Sequence, residues 1–149
     1  MFGLLKNIKL KICHLKASIL KKEIKTTYVW RFIFSHRDIS SQKKSVKYTV
    51  FFDKRDNDLS VYDKKVSEDK MFKIGDSFVG SCHIPPKETI AAGELTFEAL
   101  TNLNLKLISY PCPHKLHINI VNIPHNDISK KRHIAHMLAE SAKLIQRKD

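Results

Sequence analysis

Leu5, Ile8, Ile12, Leu15 and Ile19 advance by 3, 4, 3 and 4 positions along a segment otherwise rich in lysine. That rhythm is one face of an α-helix, and it constrains the chain more than any other feature. It predicts an amphipathic helix over Leu4–Lys25. Lysines recur too often to leave an uninterrupted apolar run. The segment therefore reads neither as a secretory leader nor as a bilayer-spanning helix. The expectation is a soluble, cytoplasmic protein, attached at most to the surface of a membrane. Three cysteines, an odd number, argue the same way, against a disulfide framework and for a reducing compartment. Cys13 and Cys82 read as small core residues.

Beyond Thr26-Thr27 the chemistry changes to β-branched and aromatic residues. "YVWRFIF" (Tyr28–Phe34) reads as a buried strand, and "SVKYTVFFDKRDNDLSVYDKKV" as a hairpin with Val46, Tyr48, Val50 and Phe52 on one face. "MFKIGDSFVGSCHIPP" suggests a strand pair around Gly75-Asp76. "KETIAAGELTFEALTNLN" fits either a short helix interrupted at Gly93 or a loop leading into a strand. "LKLISYP" and "KLHINIVNIP" read as strands, the second alternating through Leu116, Ile118 and Ile120. A C-terminal helix follows, capped by Asn126, Asp127 or Ser129, with a stripe of Ile134, Met137, Leu138, Ser141 and Ile145. The expected fold is α+β: an N-terminal amphipathic helix, an antiparallel sheet of five to seven strands, and a C-terminal amphipathic helix. All 149 residues form one domain in this reading, with a basic helix at 1–25, a β-rich body at 28–123 and a basic helix at 128–147.

The net charge of +12 is unevenly placed. Residues 1–25 carry seven lysines and one acid, residues 128–149 six bases and two acids, and the long middle is nearly neutral. Cationic ends point to an anionic partner. The candidate anion-binding residues are Lys6, Lys9, Lys16, Lys130, Lys131, Arg132, Lys143 and Arg147. Nucleic-acid phosphates are the leading partner expected, because two separate segments concentrate charge. The alternative is an anionic membrane surface met by the N-terminal helix, with Phe2, Leu4 and Leu5 at its tip. A third possibility is that the apolar stripe packs on the sheet and the lysines only solvate it. A protein partner or a homodimer is also open, as is an inhibitor or immunity-type role.

Enzymatic signatures are sparse. The run "YPCPHKLHINIVNIPHN" holds Cys112, His114, His117 and His125, and His133, His136 and Glu140 share a side of the last helix. They are candidate metal ligands, but no tight ligand spacing occurs and the surrounding cations oppose a divalent ion. His117, opposite the Leu116/Ile118/Ile120 face, is expected half-exposed beside Asn119. Asp53, Asp63 and Lys65, with Glu23, form a loose Asp…Asp-x-Lys pattern similar to that of magnesium-dependent PD-(D/E)xK nucleases. A hairpin register points the two aspartates apart. "SHRD" (Ser35–Asp38) is too close-set for a triad. With no phosphate-cradling glycine loop, the reading leans toward a binding protein with no cofactor rather than an enzyme.

Overall fold

The computed structural model describes residues 2–53, 55 and 58–148, with backbone only for residues 2–5. Its elements, in chain order, are α1 (Phe2–Ile19), β1 (Lys22–Glu23), β2 (Tyr28–Ile33), β3 (Ile39–Ser40), β4 (Ser45–Val46), β5 (Leu59–Asp63) and α2 (Glu68–Phe78). There follow β6 (Ala91–Thr96), α3 (Phe97–Asn102), β7 (Lys106–Ser109), β8 (His117–Val121), α4 (Ile128–Ser141) and β9 (Lys143–Gln146). Seven strands make one antiparallel sheet in the order β1-β7-β8-β5-β2-β6-β9, and β3 pairs with β4 in a separate ribbon. The fold is α+β, as the sequence leads one to expect.

Alternation along the strands divides the core in two. Val29, Val61, Leu95, Leu107, Ile118 and Ile120 share one face, packed with Leu100 of α3, and Ala135 and Leu138 of α4. Trp30, Tyr62, Ala92 and Ile145 share the other, in register across four strands (Trp30↔Tyr62, Phe32↔Ala92, Ala92↔Ile145), and Met71 and Phe72 of α2 cover them. The Trp30 indole N–H reaches Glu94 at 2.7 Å, so its polar edge is satisfied inside this cluster.

Three expectations about the elements need correction. The stretch around Gly75-Asp76 is not a strand pair but α2. Met71, Phe72 and Gly75 form its buried side, and Glu68 and Asp69 in its first turn favour the helix dipole. Gly75 makes no turn. A Cβ there would lie 2.5 Å from Thr89 Oγ1, so the glycine permits close packing instead. The Ser45–Val66 hairpin does not form either. Ser45-Val46 pairs with Ile39-Ser40, Tyr48–Val50 is a single 3-10 turn, and β5 pairs with β2 and β8.

The ambiguous segment beginning at Lys87 takes its second alternative, a loop leading into strand β6, and α3 then follows, with Thr96 Oγ1 accepting from the Ala99 N–H at the helix start. The terminal helices are also shorter than their stripes suggest. α1 stops at Ile19, and Lys22-Glu23 becomes an edge strand on β7. α4 stops at Ser141, where Ala142 turns extended, and Lys143–Gln146 pairs with β6. Ile145, which continues the helical stripe in sequence, is buried instead by strand alternation.

The cysteine expectation is overturned as well. Cys13 and Cys112 form a disulfide with a Cα–Cα distance of 5.7 Å, and Cys82 is exposed and free. An odd count leaves room for one pair plus one thiol. The partners lie 99 positions apart, so spacing alone does not reveal them. No described helix is long and apolar enough to cross a membrane.

Candidate functional site

Helix α1 is attached to the body from one side. Cys13 is bonded to Cys112, His14 Nδ1 and the Tyr110 hydroxyl are 3.0 Å apart, and Ala17 is buried at 1% exposure. At about 100° per residue, Ile8, Ile12, Leu15 and Ile19 fall in one narrow sector on the side away from Cys13 and Ala17. They are correspondingly open: 45%, 49%, 64% and 75% exposed. The stripe does not pack on the sheet, so the reading in which it closes the core is set aside. Lys9 and Lys16 flank the stripe on one side and Lys11 on the other, all exposed. Lys6 is exposed too. The side chains of Phe2, Leu4 and Leu5 lie outside the described residues.

The C-terminal cations do not form a matching surface. Lys131 is buried, its Nζ donating to the Arg55 carbonyl at 2.9 Å and sitting 5.7 Å from the Phe52 ring. Arg132 stands 5.8 Å from the same ring, and exposed Lys130 reaches Asp127 at 3.7 Å. Lys143 and Arg147 are not on α4 at all. Lys143 is exposed on β9, whereas Arg147 pairs with Asp76 at 2.9 Å and Glu88 at 3.1 Å. Burial works to raise the Asp76 carboxyl, but the Thr89 N–H and the Arg147 guanidinium override it and hold Asp76 below the usual range.

Among the described residues, no group of three His, Cys, Asp or Glu side chains could hold a metal ion. His133, His136 and Glu140 do not form such a group, and His136 instead stacks on Tyr48 with ring centroids 4.1 Å apart. The aspartates of the nuclease-like pattern are also separate. Asp53 pairs with Arg55 at 3.2 Å. Asp63 is buried and holds Thr26 Oγ1 at 2.5 Å and Lys65 Nζ at 2.9 Å. Glu23 meets Lys106 on the sheet edge.

His117 is not half-exposed, as its strand position suggests, but 7% exposed. It is held between Tyr62 and Tyr110, whose rings lie 5.2 and 5.8 Å away. Its Nδ1–H donates to the Tyr110 carbonyl at 2.7 Å, and Nε2 bonds Ser60 Oγ. A carbonyl only accepts, so the neutral ring protonated at Nδ1 accepts the serine proton at Nε2. Burial lowers the His117 pKa, against the pull of the Tyr110 carbonyl and with help from the Arg31 charge. Ser60, Tyr62 and Arg31 escape sequence reasoning, although a charged residue inside the apolar run "YVWRFIF" is itself a signal.

No family model matches the chain, and neither does any curated protein or any solved structure.

Proposed function

We propose that this protein binds peripherally to anionic membrane surfaces, with α1 lying in the interface. The outward apolar stripe carries the reading. An amphipathic helix that turns Ile8, Ile12, Leu15 and Ile19 away from its own body presents a surface suited to the acyl boundary. Its flanking lysines suit acidic headgroups, each worth about 1 kcal/mol near the surface. The disulfide to Cys112 and the contact with Tyr110 support a helix held in that orientation before binding. Preorganisation of this kind lowers the ordering cost of association.

The nucleic-acid reading rested on two basic segments, and Lys131 and Arg147 are committed elsewhere. The cytoplasmic location expected from the cysteine count loses its support with the Cys13–Cys112 bond, which an oxidising compartment accommodates.

Flotation with phosphatidylserine-containing and with pure phosphatidylcholine vesicles, beside fluorescence anisotropy with a labelled DNA duplex, decides between the partners. Binding confined to the acidic vesicles supports the proposal. Duplex binding that is stronger and falls steeply with salt overturns it.

A further inference from the structure

The two central strands part company halfway along. β2 and β5 pair at Val29↔Asp63 and Trp30↔Tyr62. Beyond that point β2 stays with β6 as far as Ile33↔Ala91, while β5 stays with β8 as far as Leu59↔Ile120. A cavity of about 400 Å³ opens in the fork, within the size range of small-molecule sites.

Arg31 reaches into this fork. Its Nη1 donates to the Ser60 carbonyl at 2.6 Å and its Nε to the Val50 carbonyl at 3.2 Å. Both acceptors are neutral. The other Nη1–H and both Nη2–H donors have no acceptor among the described residues. The nearby carboxylates are occupied, Asp53 by Arg55 and Asp38 by the Thr49 hydroxyl at 2.8 Å. Arg31 is half-buried, and a cation drawn partly out of water ordinarily has an anion beside it. Burial indeed lowers the Arg31 pKa, with the charge of Asp53 only partly opposing it. Three cationic or basic groups, Arg55, His83 and Lys87, and one carboxylate, Asp38, stand at the lining, and Phe32, Phe34 and Tyr62 supply an apolar wall.

We propose that the fork binds a small molecule carrying a phosphate group, which sits end-on against the free edge of the Arg31 guanidinium. Planar guanidinium donors match phosphate oxygens in pairs. Arg55 and Lys87 add charge at the mouth, and the aromatic wall receives the organic part. The site involves no residue of α1, so it stands independently of membrane binding.

The test is calorimetric titration of the full chain with inorganic phosphate and with phenyl phosphate. Saturable binding is expected, tighter for phenyl phosphate. The Arg55→Ala/Lys87→Ala double variant loses a few degrees of Tm, because Asp53 is left without its partner, but stays folded and binds at least roughly tenfold more weakly. Lys106→Ala, on β7 near the opposite margin of the sheet, binds as the parent does. Arg31→Lys retains the charge but loses the paired donors, and weakens binding at least as much. If Arg31→Lys fails to fold, the double variant still decides. Absence of saturable binding, or equal binding by parent and double variant, overturns the proposal.

Discussion

Replacing Ile12 and Leu15 together by serine separates a membrane-facing stripe from a packed one. These side chains are 49% and 64% exposed. Complete burial of an Ile or Leu side chain is worth about 2 kcal/mol, so seating the exposed parts in an acyl boundary contributes about 1 and about 1.3 kcal/mol. Their loss together, about 2.3 kcal/mol, corresponds to roughly 40-fold weaker partitioning. Because neither residue belongs to the core clusters, folding stability should barely move. Two measurements are needed: vesicle flotation as a function of lipid concentration, and thermal unfolding followed by circular dichroism. The expected result is a partition coefficient lower by roughly 40-fold with Tm unchanged to about 2 °C. A Tm loss of several degrees would show that the stripe supports the body. Unchanged partitioning with an intact fold would place membrane contact elsewhere or nowhere.

Other expectations follow from features away from the stripe. Reducing Cys13–Cys112 opens a loop spanning 99 positions, and the chain-entropy model assigns such closure about 4.7 kcal/mol; denaturant unfolding with and without reductant should show a loss of a few kcal/mol. His117 is held neutral with its pKa lowered, so the unfolded chain takes up a proton that the folded chain refuses. Stability is therefore present above the unfolded value near 6.5 and falls as pH drops through that region, and His117→Asn should flatten the acid limb of a stability-against-pH profile. Arg147→Ala removes the link from β9 to Asp76 and the Thr89 carbonyl, and about 2 kcal/mol should be lost in urea unfolding because partly buried Asp76 is left unpaired. Gly80→Ala drives a Cβ against the Lys87 carbonyl oxygen, and a Tm drop of several degrees is expected by calorimetry.

Legibility followed the length of the periodic signal. α1, β2, β7 and β8 can be read because several residues repeat one spacing, and α4 because a capping Asp127 precedes its stripe. α2 is obscured by Gly75 and Gly80, which mimic turn signals although both are set by close approach to neighbouring elements. β9 is hidden because Ile145 satisfies a helical spacing and a strand alternation equally, and only pairing with β6 decides.

The site divides along the same line. The lysines and the stripe of α1 are explicit in the chain, but the direction the stripe faces depends on Cys112 and Tyr110, far away in sequence. Likewise, local charge counting includes Lys131 and Arg147 as free cations. Tertiary partners at Arg55 and Asp76 remove them.

The strand order has a consequence for engineering. β1 and β9, the first and last strands in chain order, are the outermost strands on opposite margins of the sheet. Six inter-strand steps of about 4.8 Å place them roughly 29 Å apart. Labels at Lys22 on β1 and at Gln146 on β9 would, for that reason, sit on opposite flanks. A donor–acceptor dye pair placed there would measure the full breadth of the sheet, and would register the departure of either margin before the central strands separate.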